Sequence, residues 1–244
     1  MLAAATAFAA GVVDAIAGGG GLLTLPVLFA LGLPPHVALG TNKGQAVFGA
    51  VSSFWTFWHK KEVDRERAGV GFLLALIGSA TGAVLVLAVR PEPLRPIVIV
   101  LLLLAAGVVF GRGRVRALPK KLVHPLRAAA LLAFGLGLYD GFFGPGVGSL
   151  LIVGFTLVFG DTLTRASGNA KVNNLASNLA AVAIFAWRGT VLWSIAIPMA
   201  IANAVGATIG ARLAVTKGDR LVRVVVLLVV AALVVKLGVD WVRQ

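Results

Sequence analysis

The chain has 244 residues, of which 59% are hydrophobic and only 13% are charged. Because most of such a chain cannot face water, this composition excludes a soluble globular protein and indicates a membrane protein. The net charge of +13 lies in short gaps between apolar runs, not on a continuous basic surface, which argues against a nucleic-acid partner.

Apolar runs follow one another along the whole chain and predict membrane helices. In chain order they cover residues 2–17, 22–31, 37–58, 70–89, 97–110, 128–138, 149–159, 172–187, 191–211 and 222–235. Several reach the roughly 20 residues that cross a bilayer, whereas others are shorter. The first run lacks a preceding basic residue, so we interpret it as mature protein and not as a signal peptide. The predicted fold class is an all-α polytopic membrane protein.

The sequence is predicted to contain two homologous helical repeats. Asp14 recurs 126 positions later as Asp140, with matching glycines after each. A G-x5-A-x-G-x2-K frame that ends at Lys43 recurs 128 positions later and ends at Lys171. Low complexity alone would not align rare polar residues in this way. The predicted divisions are a first transmembrane repeat at 1–111, a basic cytoplasmic linker at 112–127 and a second transmembrane repeat at 128–244.

Each repeat is predicted to hold a glycine-broken pair of short helices and then three longer helices. If the short pair forms one long broken span, the repeats are parallel. If it forms two spans or a re-entrant pair, each repeat crosses an odd number of times and the repeats are inverted. We favour inverted repeats, because that topology keeps the basic clusters at 60–67, 112–127 and 212–223 in the cytoplasm. The pairs Gly78/Gly82 and Gly206/Gly210 are interpreted as helix-packing positions.

The two glycine-rich breaks are predicted to bind substrate through their backbone. Unwound backbone at membrane depth is tolerated only where it is buried in protein or lines a watery cavity. The helix that starts after each break also presents a positive dipole end, which favours an anion. The alternative is that the glycines only permit close helix crossing. A nucleotide-binding loop is excluded because no Gly-Lys-Ser/Thr ending follows. The predicted substrate contacts are Gly19, Gly20, Gly21, Gly144 and Gly146.

Two lysines are predicted to provide positive charge at this site. Each lies about 10 Å along a helix that continues into apolar sequence, where a charge is costly unless it is paired or faces a polar cavity. A lysine that reaches the headgroups is the alternative. Neighbouring amides and a hydroxyl are predicted to bind oxyanion oxygens, although membrane asparagines also commonly join helices. The predicted substrate-binding set is Thr41, Asn42, Lys43, Asn169, Lys171, Asn174 and Asn178.

Asp14 and Asp140 are acidic residues within the apolar segments that precede the breaks. Intramembrane carboxylates can relay protons or serve as structural counter-ions of lysines, and the sequence leaves both roles open. The chain has no cysteine, and its three histidines are not clustered, so we expect neither a metal site nor a cofactor.

The motifs Ala17-Gly-Gly-Gly-Gly-Leu-Leu-Thr-Leu-Pro26, Gly40-Thr-Asn-Lys43 and Lys171-Val-Asn-Asn-Leu-Ala-Ser-Asn178 extend over much of the chain. Together with the duplicated arrangement, they resemble the sulfite exporter TauE/SafE family, also described as the toluenesulfonate uptake permease family, and in particular its YfcA-like branch. The resemblance implies a bacterial or archaeal inner-membrane permease for small sulfur-containing or organic anions such as sulfite, sulfonates or sulfoacetate.

The predicted function is secondary transport of a small anion that binds between the two breaks at the interface of the repeats, with protons considered as the coupling ion. A passive anion channel, in which the lysines form a charge ring, is the alternative. An enzyme is not expected, since no metal cluster, Ser–His pairing or cofactor fingerprint is evident. We expect a multi-pass protein of the cell inner membrane, with the small anion and the lipid bilayer as partners, and leave a homodimer open.

Overall fold

The structure, a computed structural model, describes residues 1–94, 97, 100 and 124–242, with side chains described as far as Gly218 and at Val224. Within this part the chain is helical and contains no β-strand, as the predicted all-α class requires. The helices are α1 (Leu2–Ala17), α2 (Gly21–Ala30), α3 (Pro35–His59), α4 (Arg65–Ala88), α5 (Pro125–Phe142), α6 (Val147–Phe159), α7 (Leu163–Trp187) and α8 (Trp193–Val242, with a break at Gly218). The apolar run at 97–110 and the linker at 112–127 lie mostly outside the described residues.

Two of the described helices are long and apolar enough to cross a membrane by length and composition. They are α4 and the part of α8 that covers Trp193–Gly218. The helices α1, α2 and α6 are apolar but shorter, as the lengths of the apolar runs predict. Each of these shorter helices belongs to a pair that folds back on itself, either α1 with α2 or α5 with α6.

Local sequence signals determine where several helices begin and end. Gly18 ends α1 and Gly160 ends α6, both with a positive φ (74° and 70°) that glycine adopts without strain. Pro35 occupies the first turn of α3, where its missing N–H costs nothing. Asp64 and Thr162 cap α4 and α7 by accepting hydrogen bonds from backbone N–H groups of the first turn.

Each pair of short helices is a helical hairpin. Leu28, near the end of α2, lies in one core cluster with Ala7, near the start of α1. Gly154 of α6 likewise packs against the side chain of Leu132 of α5. Helix α2 therefore runs back along α1, and α6 runs back along α5.

The tips of the two hairpins contact each other. The backbone N–H of Ser149 donates to the carbonyl of Gly18 at 3.0 Å, and its hydroxyl donates to the carbonyl of Ala17 at 2.6 Å. A Cβ atom on Gly18 would lie 2.1 Å from the carbonyl carbon of Gly148. Glycine is therefore required at this position both for its positive φ and for the close approach of the tips.

Helices α3 and α7 run in opposite directions. Near the start of α7, the Asn169 side-chain oxygen accepts the backbone N–H of Asp64, at the corner between α3 and α4 (2.8 Å). Near the start of α3, the Thr41 hydroxyl accepts the backbone N–H of Leu192, at the corner between α7 and α8 (3.0 Å). Each helix thus begins where the other ends. We call the two ends of the bundle the α3–α4 end and the α7–α8 end.

Close glycine contacts join helices from the two halves of the sequence. A Cβ on Gly82 of α4 would lie 2.1 Å from the carbonyl oxygen of Leu138 of α5, and one on Gly210 of α8 would lie 2.4 Å from that of Val12 of α1. Gly78 and Gly206 approach Phe134 and Phe8 in the same way. The close approach of these helices is the packing predicted for the pairs Gly78/Gly82 and Gly206/Gly210. The described parts of 1–111 and 128–244 therefore interlock and do not form separate packing units.

Candidate functional site

A polar cavity lies where the hairpin tips meet α3, α7 and α8. Its empty volume is about 470 Å³, which includes the space open to solvent at its mouth. It is lined by Asp14, Gly18, Gly20, Gly21, Asn42, Lys43, Gln45, Ala46, Asp140, Gly144, Gly146, Val147, Gly148, Asn174, Asn178 and Asn203. The first residues of α2 and α6 are part of this wall, so two helix N-termini direct their partial positive charge at the cavity.

Lys43 forms a buried ion pair with Asp140. Its Nζ atom lies 2.5 Å from Oδ1 of Asp140, and the two side chains are only 4% and 3% exposed. The other carboxylate oxygen accepts a short hydrogen bond from the Ser177 hydroxyl. Gly144, with a φ of 96°, leaves the space that the lysine occupies, since a Cβ there would be 3.0 Å from Nζ.

Lys171 forms the second ion pair, with Asp14. Its Nζ atom lies 2.7 Å from Oδ2 of Asp14 and 2.6 Å from the backbone carbonyl of the same residue. The lysine side chain is fully buried, whereas that of Asp14 is 30% exposed. The remaining carboxylate oxygen of Asp14 accepts the backbone N–H of Gly20 from the hairpin tip at 3.2 Å. Neither lysine reaches toward the headgroups, because each is held in the protein interior by a carboxylate.

Amide side chains form a further part of the cavity wall. Oδ1 of Asn42 accepts hydrogen bonds from the Thr24 hydroxyl (2.6 Å) and from Nε2 of Gln45 (3.1 Å). The amide nitrogen of Asn178 donates to the backbone carbonyl of Asn174 at 2.7 Å. Oε1 of Gln45 and Oδ1 of Asn174 are buried and have no hydrogen-bond partner among the described residues. Buried polar atoms without partners favour a site that water or a polar ligand completes.

Most of the substrate-binding residues predicted from sequence come together here, but four do not line the cavity. Thr41 and Asn169 instead bind the backbone at the starts of α8 and α4, which joins the ends of the bundle. Gly19 lies in the first hairpin tip but is not part of the wall, and Lys171 acts there only through Asp14.

Sequence reasoning missed some of the residues that line the cavity. Asn203 is an amide in the apolar helix α8. A polar residue inside a membrane helix is a signal of function, and it could have indicated Asn203. Gln45 is recognisable from sequence as a polar neighbour of Lys43, but it was not included in the predicted substrate-binding set. Gly18 and Gly148, where the hairpin tips touch, were likewise not chosen as substrate contacts.

A second ionic cluster lies at the α3–α4 end, away from the cavity. The Arg67 guanidinium lies 2.9 Å from Asp161 and 2.8 Å from Asp64, and the amide of Asn169 donates to Asp161 at 2.7 Å. Arg165 adds a longer contact to Asp64, at 3.4 Å. Partial burial alone would raise the pKa of Asp64, but hydrogen bonds from Arg67 and the charges of both arginines hold it below its ordinary value.

In the described part of the chain, no group of three or more His, Cys, Asp or Glu residues is arranged to hold a metal ion. The charged groups at the cavity are instead paired lysines and aspartates.

Known proteins of similar sequence are named as membrane transporters. A "Probable membrane transporter protein" of Haemophilus influenzae is 37% identical over 241 residues, which cover 96% of this chain and 92% of that protein. The "Probable membrane transporter protein YfcA" of Escherichia coli is 35% identical, with 96% and 87% covered. The "Probable membrane transporter protein ORF9" of a Sinorhizobium species is 34% identical over 238 residues, with 96% and 90% covered. No solved structure is significantly similar to the chain.

A helical bundle with paired charges around a buried cavity, in a chain with these relatives, is a membrane transporter. The family model described as "Sulfite exporter TauE/SafE" matches residues 3–237. The chain therefore belongs to the TauE/SafE sulfite exporter family, and the resemblance to YfcA-like proteins found in its motifs is confirmed. The family is one of membrane transporters.

Proposed function

We propose that the chain is a secondary transporter of small sulfur-containing or organic anions, such as sulfite or a sulfonate, and that the central cavity is its substrate site. The observation that carries this proposal is a cavity lined by Lys43 and two helix N-termini, with Lys171 bound to the Asp14 carboxylate of its wall. Each of these features favours an anion. The name of the family supports a sulfur oxyanion as one member of the substrate class.

We also propose that the two halves are inverted repeats, with the cavity at their interface. The two ion pairs are equivalent, because each joins a lysine of one half to an aspartate of the other half. The lysines are 128 positions apart and the aspartates 126. The bond from Leu192 to Thr41 and the bond from Asp64 to Asn169 are likewise related by a shift of 128 positions. The opposite directions of α3 and α7 support inversion.

The charges at the two ends of the bundle support a membrane orientation. Exposed or half-buried basic residues are numerous at the α3–α4 end, namely Lys60, Lys61, Arg65, Arg67, Arg165, Arg212 and Lys217. At the α7–α8 end the described basic residues are Arg90 and Arg188. The positive-inside rule then assigns the α3–α4 end to the cytoplasm of a multi-pass protein in the inner membrane.

A binding screen with the purified protein tests the proposal. Sulfite, thiosulfate, methanesulfonate, isethionate and acetate are added separately, and thermal unfolding is recorded, because a ligand selective for the folded state raises its stability. We expect at least one of these anions to stabilise the wild type and Lys60→Ala, which removes an exposed lysine far from the cavity. Lys171→Ala should lose the response. If no anion stabilises the wild type, or if Lys171→Ala responds as the wild type does, the proposed site is wrong.

Uptake into proteoliposomes distinguishes a transporter from a channel. A coupled transporter accumulates the stabilising anion above its external concentration, and a protonophore abolishes the accumulation when protons drive it. A passive channel only equilibrates the anion across the membrane.

A further inference from the structure

Among the described residues, the charged groups at the central cavity balance to zero. Lys43, Asp14 and Asp140 line the cavity wall, and its other residues are uncharged. Lys171 does not line the wall but pairs with Asp14, as Lys43 pairs with Asp140. An anion that entered this site alone would add an unbalanced negative charge beside two ion pairs whose lysines are buried. Such a charge is expensive, because desolvation is not offset by a partner. A proton that arrives with the anion would restore the balance.

The two carboxylates are not equally able to accept that proton. Asp140 is 3% exposed and is held by both Lys43 and the Ser177 hydroxyl. Asp14 is 30% exposed and accepts hydrogen bonds from Lys171 and from the backbone N–H of Gly20. The difference can be traced to the sequence, because Gly49 stands 128 positions before Ser177 and has no hydroxyl. The space beside Gly49 is filled by Asn203, whose Oδ1 lies 1.7 Å from where a Cβ would be.

We infer that Asp14 is the carboxylate that takes up the coupling proton, and that a monovalent anion is carried together with one proton. The anion replaces the Asp14 carboxylate at Lys171, while the proton from bulk water binds to that carboxylate and leaves it neutral. The charge of the site is zero before and after the step. Asp140 keeps its contacts with Lys43 and Ser177 during the step. This inference rests on the proposed function and specifies how the same site is coupled.

The charged groups that face Asp14 come from three helices. Lys171 of α7 contacts it directly, and Lys43 of α3 and Asp140 of α5 line the same cavity. The parts of α2, α6 and α8 that reach the cavity wall contribute glycines, Val147 and the neutral amide of Asn203. Lys171 is thus the cation that pairs directly with the Asp14 carboxylate.

Binding of methanesulfonate at a series of pH values tests this coupling, because this probe stays a monoanion throughout. One linked proton makes the wild-type affinity fall about tenfold for each pH unit once Asp14 is ionised. Asp14→Asn should bind with an affinity that does not depend on pH. Glu66→Gln removes an exposed acid outside the site and should keep the wild-type slope. If Asp14→Asn keeps the slope, the assignment is overturned; if methanesulfonate and the other screened anions all fail to bind the wild type, the proposed function fails as well.

Infrared difference spectra identify the residue that carries the proton. Binding of methanesulfonate should produce the band of a protonated carboxyl group in the wild type and in Glu66→Gln, and the band should be missing from Asp14→Asn. A band that persists in Asp14→Asn would assign the proton to another carboxyl group and contradict the inference.

Transport by the wild type alone gives a test that does not depend on a variant folding. In proteoliposomes, an acidic exterior should drive methanesulfonate uptake, and a membrane potential set with potassium and valinomycin should leave the rate unchanged. A rate that follows the potential would mean that net charge moves, which would overturn one proton per monovalent anion.

Asp14→Asn should lose net uptake but keep exchange of labelled for unlabelled anion.

Discussion

At the scale of single residues, the two lysines of the cavity have different surroundings. Both are buried, and both pair with a carboxylate from the other half of the sequence. Asp140 is as buried as its lysine, whereas Asp14 is partly open to solvent. Loss of one member of a buried pair is costly chiefly because it leaves the other charge without a partner. The loss of stability on removing each lysine should therefore depend on how well water can solvate the aspartate that is left unpaired.

We expect Lys43→Ala to destabilise the protein more than Lys171→Ala. The first change strands Asp140 in a buried position and should cost about 3–5 kcal/mol. The second leaves Asp14, which water can partly solvate, so the loss should be smaller. Thermal unfolding of the two purified variants in the same detergent measures the difference, and Lys60→Ala is the control for removal of an exposed lysine. Equal losses for the two cavity variants would mean that the exposure of the carboxylates does not matter.

At the scale of helices, the hairpins depend on glycine at their tips. Gly18 has a positive φ and touches the backbone of Gly148, so it meets a conformational and a steric requirement at once. Gly32, in the loop between α2 and α3, also has a positive φ (79°), but no described atom lies within 4 Å of its Cβ position. Substitution of Gly32 therefore tests the backbone conformation alone, whereas substitution of Gly18 tests the conformation and the close contact together.

Gly18→Ala is expected to be more damaging than Gly32→Ala. Both variants incur the strain of an alanine in the left-handed region, about 1–2 kcal/mol. Only the change at Gly18 forces the tips apart, which adds about 1–3 kcal/mol or more, as overpacking does. Because the tips bound the cavity, the same variant should also lose anion binding. The measurements are unfolding midpoints and methanesulfonate binding; a Gly18→Ala protein that matches Gly32→Ala in both would contradict the close contact.

At the scale of the whole molecule, the halves of the sequence cannot rock against each other as two independent bodies. Helix α1 packs on α8 and α4 on α5 through backbone contacts that leave no room for a side chain. If the proposed transporter alternates access, we expect each of these helix pairs to move as a unit. The ionic cluster at the α3–α4 end also connects the corner of α3 and α4 to the corner of α6 and α7, through Arg67, Asp64 and Asp161.

The cluster at the α3–α4 end should make stability depend on acid pH. Because the folded-state pKa of Asp64 is lowered, its contribution is fully present above its ordinary pKa and is lost as the pH falls through the lowered value. Asp64→Asn keeps a side chain that can cap α4 but removes the charge. We expect this variant to be less stable than the wild type at neutral pH and to show a weaker loss toward acid pH in thermal unfolding. Glu66→Gln serves as the control, and an unchanged acid profile in Asp64→Asn would refute the role of this carboxylate.

Several features could be predicted from the sequence because they depend on composition and local pattern. The all-α class and the membrane location depend on apolar content, which is spread over the whole chain. The breaks depend on glycine and proline, whose effect on the backbone is local. Lys43 and Asp140 could be selected because a charge in an apolar helix is rare and needs a reason.

The sequence by itself therefore determined that the chain is a helical membrane protein with two breaks and buried charges. Only the tertiary structure decided which charges pair, since Lys43 and Asp140 are 97 positions apart and Lys171 and Asp14 are 157 apart. It also decided that Thr41 and Asn169 bind backbone at the ends of the bundle, and that Asn203 reaches the cavity. Periodicity describes one helix at a time, whereas these contacts depend on how the hairpins and the antiparallel helices α3 and α7 are arranged in space.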